Sequence, residues 1–290
     1  MFRLSAVCAL ALSSCAPTQG QGQDLSWEFK DYWYDNTGEI SSYELKIARY
    51  GEIREGSAVM VFVTEAHSPS LGTKPDNYKK DQVPVLKLNT TMKFHTGVYP
   101  YSIMTSTFLP VESPEHSLKI TSSSQEWCGH TFMEMSNGRK MKVKVSSYFE
   151  GESKEATMDK ALLEDDLFSL LRINPEALPV GDLQMIPAFY DIRLSHIGLQ
   201  PYAAKASKET ASGMTTYTVH YPALERTLSI TYENAFPHKI AGWEKEGFSG
   251  FGPGRKKMTT TATLINTIKS TYWSKNHNSD QDLRAQLGLD

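Results

Sequence analysis

Glu126, Cys128 and His130 are the residues in this chain whose types and spacing could do chemistry. At i, i+2 and i+4 they share one face if the segment is a β-strand. One reading is a Cys128–His130 nucleophile pair with Glu126 orienting the imidazole. Strand residues two apart lie roughly 6.5 Å from each other, whereas a thiol–imidazole hydrogen bond spans about 3 Å, so a bulge at Gly129 would have to close the gap. A second reading is a metal site, since Cys, His and Glu all bind zinc, but no fourth ligand and no HExxH or CxxC spacing accompanies them. The third reading makes Cys128 a small buried hydrophobe and His130 a surface residue. It asks least of the chain, so no catalytic residue, metal or cofactor is assigned. His67, His95, His116, His196, His220, His238 and His277 show no ligand spacing, and no GxSxG elbow, P-loop or Rossmann glycine pattern is present.

The elements that must position these residues read as β. His116–Gly151 is expected to form two long strands joined by a turn at Ser136-Asn137-Gly138-Arg139, Asn-Gly supplying two positive-φ positions. Cys128 would lie on the outgoing arm. On the returning arm Met141, Val143, Val145, Ser147 and Phe149 face one way, with Lys140, Lys142 and Lys144 on the wet side as edge protection or a binding stripe. Ile40–Tyr50, Ala58–Val63, Leu86–Phe94, Val98–Leu109, Leu183–His196, Thr215–Tyr221, Arg226–Tyr232 and Lys257–Thr271 read as further strands. Trp27–Tyr34 docks the N-terminal segment or begins the first strand. His67–Pro84 is a long loop, and Ser279–Leu289 a short terminal helix. One main helix is expected over Ala156–Arg172, with Leu163, Leu167, Leu170 and Leu171 on one face and Asp165 and Asp166 on the wet side. About ten strands and no βαβ alternation give a mainly β fold: one large curved antiparallel sheet, half-barrel-like, with the helix on its concave side. Residues 27–290 form a single domain, with a possible subdivision near residue 155.

The N-terminus carries an address. A basic Met1-Phe2-Arg3 precedes an apolar Leu4–Leu12, too short to span a bilayer. Leu12-Ser13-Ser14-Cys15 follows, and it resembles the lipobox of bacterial lipoproteins. That resemblance implies cleavage of a signal peptide at residues 1–14, acylation of Cys15, and a flexible tether over 15–26. No acidic residue follows Cys15 until Asp24, so the expected place is the outer membrane, facing the periplasm. The protein would meet the membrane through its acyl chains. Losing residues 1–14 removes Arg3 alone from the charge count and takes the formal net charge from −3 to −4. That balance leaves no basic stripe for nucleic acid. With Cys8 gone and Cys15 acylated, Cys128 has no internal disulfide partner.

Two body segments carry a further resemblance: Tyr50–Ala58 (YGEIREGSA), and Asp166–Arg172 (DLFSLLR) followed by Leu178–Asp182 (LPVGD). They resemble a periplasmic half-barrel family of unknown function, similar to lipoprotein-carrier folds whose concave face holds acyl chains. The resemblance implies a fold and lipid or peptide binding, and it carries over no site residue.

The leading expectation is therefore a non-catalytic, membrane-anchored envelope lipoprotein that binds a lipid, an acylated partner or an extended chain in an apolar groove. The alternatives are a hydrolase or transferase using Cys128 and His130, and an envelope assembly scaffold. Arg255-Lys256-Lys257, after a Gly-Pro-Gly turn, is either a solvated loop or a contact for anionic headgroups.

Overall fold

A computed structural model describes residues 25–289. The expected signal peptide, Cys15 and all but the last two residues of the tether lie outside the described residues. Trp27–Tyr34 forms a helix rather than a first strand: α1 spans Trp27–Trp33, and the Ser26 hydroxyl caps it by accepting the Phe29 N–H at 3.1 Å.

Eight strands follow: β1 (Gly38–Arg49), β2 (Glu52–His67), β3 (Val83–Thr96), β4 (Tyr99–Pro110), β5 (Lys119–Glu126), β6 (Gly129–Asn137), β7 (Met141–Ser147) and β8 (Lys154–Met158). The chain then forms β9 (Leu162–Leu163), a 3-10 turn over Glu164–Asp166, α2 (Leu167–Ile173), β10 (Gly181–Ile186) and α3 (Phe189–Ser195). It returns through β11 (Tyr202–Ala211), β12 (Met214–Tyr221), β13 (Arg226–Glu233), β14 (Ile240–Ser249) and β15 (Lys256–Ser270), and ends in α4 (Asp282–Gln286).

All 15 strands belong to one sheet, ordered β8 to β1, then β15 down to β9. Every pairing is antiparallel except β9 with β10. This order dictates the curvature. A flat sheet of 15 strands would hold its edges roughly 67 Å apart at about 4.8 Å per strand. Yet the edge strands β8 and β9 are consecutive in sequence, and the segment from Met158 to Leu162 reaches at most about 14 Å. The sheet must curl until its edges nearly meet, and it remains unclosed because β8 and β9 do not pair. The mainly β, half-barrel-like expectation holds.

The helix on the concave side holds too, but it is shorter than expected and wholly enclosed. Tyr43, Leu45 and Ile47 of β1, Met60 and Phe62 of β2 and Ile103 of β4 form one cluster with Tyr217 and Val219 of β12, Leu228 and Ile230 of β13, and Leu167, Leu170 and Leu171 of α2. Phe168 is the one α2 residue not fully buried, the signature of a helix packed on all sides. Each buried leucine contributes about 1.5–3 kcal/mol. A second cluster joins Ile120 of β5, Met133 of β6, and Met141 and Val143 of β7 to Phe189 and Ile192 of α3, which lies against β4 and β5.

Other expectations are corrected. Residues 156–163 are not helical: β8 pairs with β7 (Met141 opposite Met158), and the leucine spacing that suggested a longer helix runs across β9 and the 3-10 turn. Asp165 and Asp166 are buried, not wet. The strand expected over Leu183–His196 stops at Ile186, because Pro187 has no N–H to continue a ladder, and α3 follows. Strands β11 and β14 were not anticipated; β14 reads IAGWEKEGFS, with two glycines and three charges masking its alternation. His116–Gly151 holds three strands rather than two, and the Asn137-Gly138 pair adopts no positive φ, since the loop runs over Gly138–Lys140.

At one end of the half-barrel α2 is bolted to β1. Arg172 Nη1 and Nη2 donate to Glu39 Oε1 and Oε2 at 2.6 and 2.7 Å, both residues essentially inaccessible. Tyr32 also donates to Glu39, Arg172 Nε donates to the Pro237 carbonyl at 2.9 Å, and the guanidinium stacks over Phe62. Burial pushes the Glu39 carboxyl up, but Arg172 and these hydrogen bonds outweigh it and hold it below the usual carboxylate range. Glu39→Ala strands a buried guanidinium and is expected to lower the urea unfolding free energy by about 3–5 kcal/mol. A loss under about 1 kcal/mol would mean the pair is solvated.

Candidate functional site

Antiparallel register fixes which side chains meet at each end of the half-barrel. The turns at Tyr50-Gly51, Gly97-Val98, Trp127-Cys128 and Gly250–Arg255 all fall at one end, here called the rim. The opposite, tether end collects Leu25, α1 and residues 234–239.

The rim separates the residues that the sequence brought together. Glu126 pairs across the ladder with Gly129, so Trp127 and Cys128 form a two-residue turn, with Gly129 at φ +152. A side chain on Gly129 would be strained at this φ and would displace Tyr148, because an added Cβ would stand 2.7 Å from the Tyr148 ring. Glu126 continues the inward series Ile120, Ser122, Ser124, whereas His130 falls in phase with outward Phe132. The three side chains share no face, and no hydrogen bond joins Cys128 to His130 among the described contacts. The bulge that would have paired them is a turn instead. Glu126 Oε2 accepts the Cys128 N–H at 2.7 Å. Hydrogen bonding to Glu126 and, to a smaller extent, the Glu126 charge push the exposed Cys128 thiol up, the reverse of an activated nucleophile. No group of three or more His, Cys, Asp or Glu side chains able to hold a metal occurs among the described residues.

Of the basic stretches, Lys140 and Lys144 pair with Asp159 and Glu155 on the outer face, and Lys257 with Glu246. Arg255 has no carboxylate partner among the described residues and lies over the Phe248 ring, 3.9 Å from its centroid.

Titratable groups that sequence reasoning passed over cluster inside the rim end. Arg226 donates to Glu164 Oε2 and Oε1 at 2.6 and 2.5 Å, and Tyr221 donates to the same carboxylate at 2.7 Å. Arg226 Nε lies 2.5 Å from Asp191 Oδ2, a close ionic contact rather than an aligned hydrogen bond, and Lys245 completes the group by donating to Asp191 Oδ1. Burial raises Asp191, but Arg226 and Lys245 prevail and hold it at about 2. Its neighbours in the 3-10 turn behave oppositely. Burial pushes Asp165 well above the carboxylate range, although its Oδ2 accepts the Phe189 N–H at 2.9 Å. Burial likewise pushes Asp166 up to about 6 against the Ser117 N–H bonded to its Oδ2 at 3.0 Å; its Oδ1 has no partner.

A signal for these residues exists in the sequence. Glu39 and Arg49 fall in phase with Tyr43, Leu45 and Ile47 on β1, and Arg226 in phase with Leu228 and Ile230 on β13. A charge at core parity marks a buried ion that needs a partner.

The space left over is unevenly distributed. The lumen beside Trp243, Leu228 and Phe168 retains a void of about 40 Å³. A cleft of about 580 Å³ opens at the tether end, walled by Leu25, Phe29, Ile173, Tyr232 and Phe236 with Asn174, Thr215 and Asn234. A pocket of about 290 Å³ opens at the rim between α3 and the β14–β15 turn.

No family model matches this chain, and no curated protein matches it in sequence. Among solved structures it is similar to a β-barrel-like protein of the domain of unknown function DUF1849 from Brucella abortus, at 9% identity and a TM-score of 0.45, covering 80% of this chain and 98% of that one. It is also similar to a porin-like protein from Bacteroides uniformis, at 9% identity and a TM-score of 0.20, covering 78% and 95%. No function follows from either likeness.

Two outcomes are expected. Iodoacetamide should alkylate Cys128 at a rate that keeps climbing to at least pH 8.5, and Glu126→Gln should speed it at pH 8; a rate plateau below pH 7 would instead reveal a stabilised thiolate. Asp166 takes up protons on folding, so its contribution is most favourable below about pH 4 and declines as pH rises to about 6. Asp166→Asn keeps the acceptor for Ser117 and removes that decline. Relative to the parent, it should gain about 3 kcal/mol in urea unfolding between pH 4 and 7; parallel pH profiles would place a charged, solvated Asp166 in the parent.

Proposed function

We propose that this protein is a non-catalytic binding lipoprotein of the cell envelope, anchored through acylated Cys15 and taking its ligand at a mouth of the half-barrel rather than along its lumen. The observation that carries this reading is the filled concave face. A lumenal void of about 40 Å³ holds no acyl chain, since ligand sites occupy roughly 300–1,000 Å³. The tether-end cleft of about 580 Å³ falls within that range. Its apolar wall of Leu25, Phe29, Ile173 and Phe236 is joined by the Asn174, Thr215 and Asn234 side chains, a combination suited to a small amphiphile. Leu25, where the tether enters the fold, forms part of its lining, so ligand and membrane anchor would lie at the same end. The Cys128 environment favours neither hydrolase nor transferase chemistry.

A scaffold role is the second reading, favoured by large apolar side chains exposed at the rim: Val98 at 77%, Tyr148 at 76% and Trp127 at 69%.

Cys15→Ser is expected to remove acyl label and move the protein from the membrane to the soluble fraction; unchanged fractionation would refute the anchor. The neutral fluorescent amphiphile N-phenyl-1-naphthylamine should bind the intact protein, and Thr215→Trp, which fills the cleft, should abolish that binding. Equal binding by the variant would place the ligand outside this cleft, and one phospholipid per chain retained through purification would place it in the lumen.

A further inference from the structure

We infer that the rim pocket is a second binding site, specific for a small oxyanion, phosphate ester or carboxylate, carried on an apolar body. This deepens the reading that ligands are taken at the mouths, and it concerns the mouth opposite the tether-end cleft.

The pocket carries an excess of positive charge that its own carboxylates do not balance. Arg49, Arg226, Lys245 and Arg255 line it against a single lining carboxylate, Asp191. Asp191 is engaged by Arg226 and Lys245, and Glu164 behind it by Arg226. Arg49 and Arg255 have no carboxylate within salt-bridge distance among the described residues. Of the acidic groups nearby, Glu126 accepts the Cys128 N–H, and Glu152 lies 3.4 and 3.5 Å from Arg193 and His196.

Arg49 is the decisive group. It is only 7% exposed, and every acceptor it meets is neutral: the Leu194 carbonyl at 2.8 Å, and the Tyr50 and Tyr101 hydroxyls at 3.2 Å each. Its Nε is buried with no partner. Guanidinium stays charged at any physiological pH, and a buried cation of this kind is compensated by an anion. Its planar donor array matches the geometry of phosphate and carboxylate oxygens. Arg255, on the exposed Gly250–Arg255 turn, can close over the same anion from outside.

The pocket's other wall is apolar, formed by Leu194, Ile197, Phe248, Phe251 and Met258. At about 290 Å³ it suits a single ring or short chain next to the anionic group. The turn bordering it depends on glycine: Gly250 sits at φ +94, and a Cβ there would approach the Gly254 carbonyl to 2.8 Å. A bulkier residue would rearrange the pocket's edge.

The test is calorimetric titration of the mature protein, purified from membranes in a non-ionic detergent, with phenyl phosphate, benzoate and inorganic phosphate. Phenyl phosphate or benzoate should bind at one per chain, weakening as salt rises, and whichever is tighter identifies the headgroup class. Inorganic phosphate, lacking the apolar body, should bind more weakly than phenyl phosphate. Arg255→Ala, on an exposed turn, should fold normally and weaken binding about tenfold, the equivalent of one lost charge-assisted contact. Arg49→Gln should abolish binding. Phe251→Ser should weaken phenyl phosphate without changing inorganic phosphate. Absence of binding by all three probes, or equal affinity in parent and Arg255→Ala, would overturn the site. N-phenyl-1-naphthylamine binding at the opposite end is the internal control: if it persists while the anions fail, only this inference falls.

Discussion

The structure depends on buried ion pairs that bolt the central segment into the lumen. At the tether end Arg172 of α2 grips Glu39 of β1; at the rim end Arg226 of β13 grips Glu164 of the 3-10 turn and Asp191 of α3, with Lys245 of β14 on the far side of Asp191. Desolvating so many charges offsets most of their mutual attraction, so they are weak sources of net stability. Their effect is positional. A helix packed by leucine alone could rotate or slide, whereas a bidentate guanidinium–carboxylate pair accepts one register. The two bolts, at opposite ends of the half-barrel, fix both α2 and α3, and with them the shape of each mouth.

Strand order explains why there is a segment to bolt. The sheet grows outward from the β1–β15 pair in both directions, and its two free edges are joined by only three residues, Asp159–Ala161. A strip that wide with its edges so tied has to curl around something. What it curls around is the chain that follows the junction, Glu164–Ser195, which carries α2 and α3 inward to complete the core while β10 between them joins the sheet beside β9. The same segment consumes the concave apolar face that a lipid carrier would leave free. Binding capacity is therefore left to the two ends, which differ in chemistry: mixed polar and apolar beside the tether, cationic and aromatic at the rim.

Much of the wall was legible in the sequence, because alternation is clean in β7, β12 and β13, in β1 from Tyr43 onward and in β3 from Met92 onward. The plug was not. Leu163, Leu167, Leu170 and Leu171 fit a helical face although the first of them is in a strand, and nothing local distinguishes acids that face water from acids enclosed by a sheet. The Glu126, Cys128, His130 grouping failed for a related reason. Spacing on a strand puts residues on one face only if the strand is unbroken, and here Trp127-Cys128 is the turn. Glu39, Arg49 and Arg226 were within reach, because each sits at core parity among apolar neighbours. Their partners come from elsewhere in the chain, 133 residues away for Glu39 and Arg172.

Hydrogen–deuterium exchange across α2 tests the bolted plug most directly. If the plug is a permanent part of the core, the amides of Leu171, Arg172 and Ile173 exchange as slowly as those in the middle of β2 and β3, through global unfolding alone. Exchange there several orders of magnitude faster than in β2, at a pH and temperature where the sheet stays protected, would show that the segment leaves the lumen and opens the concave face.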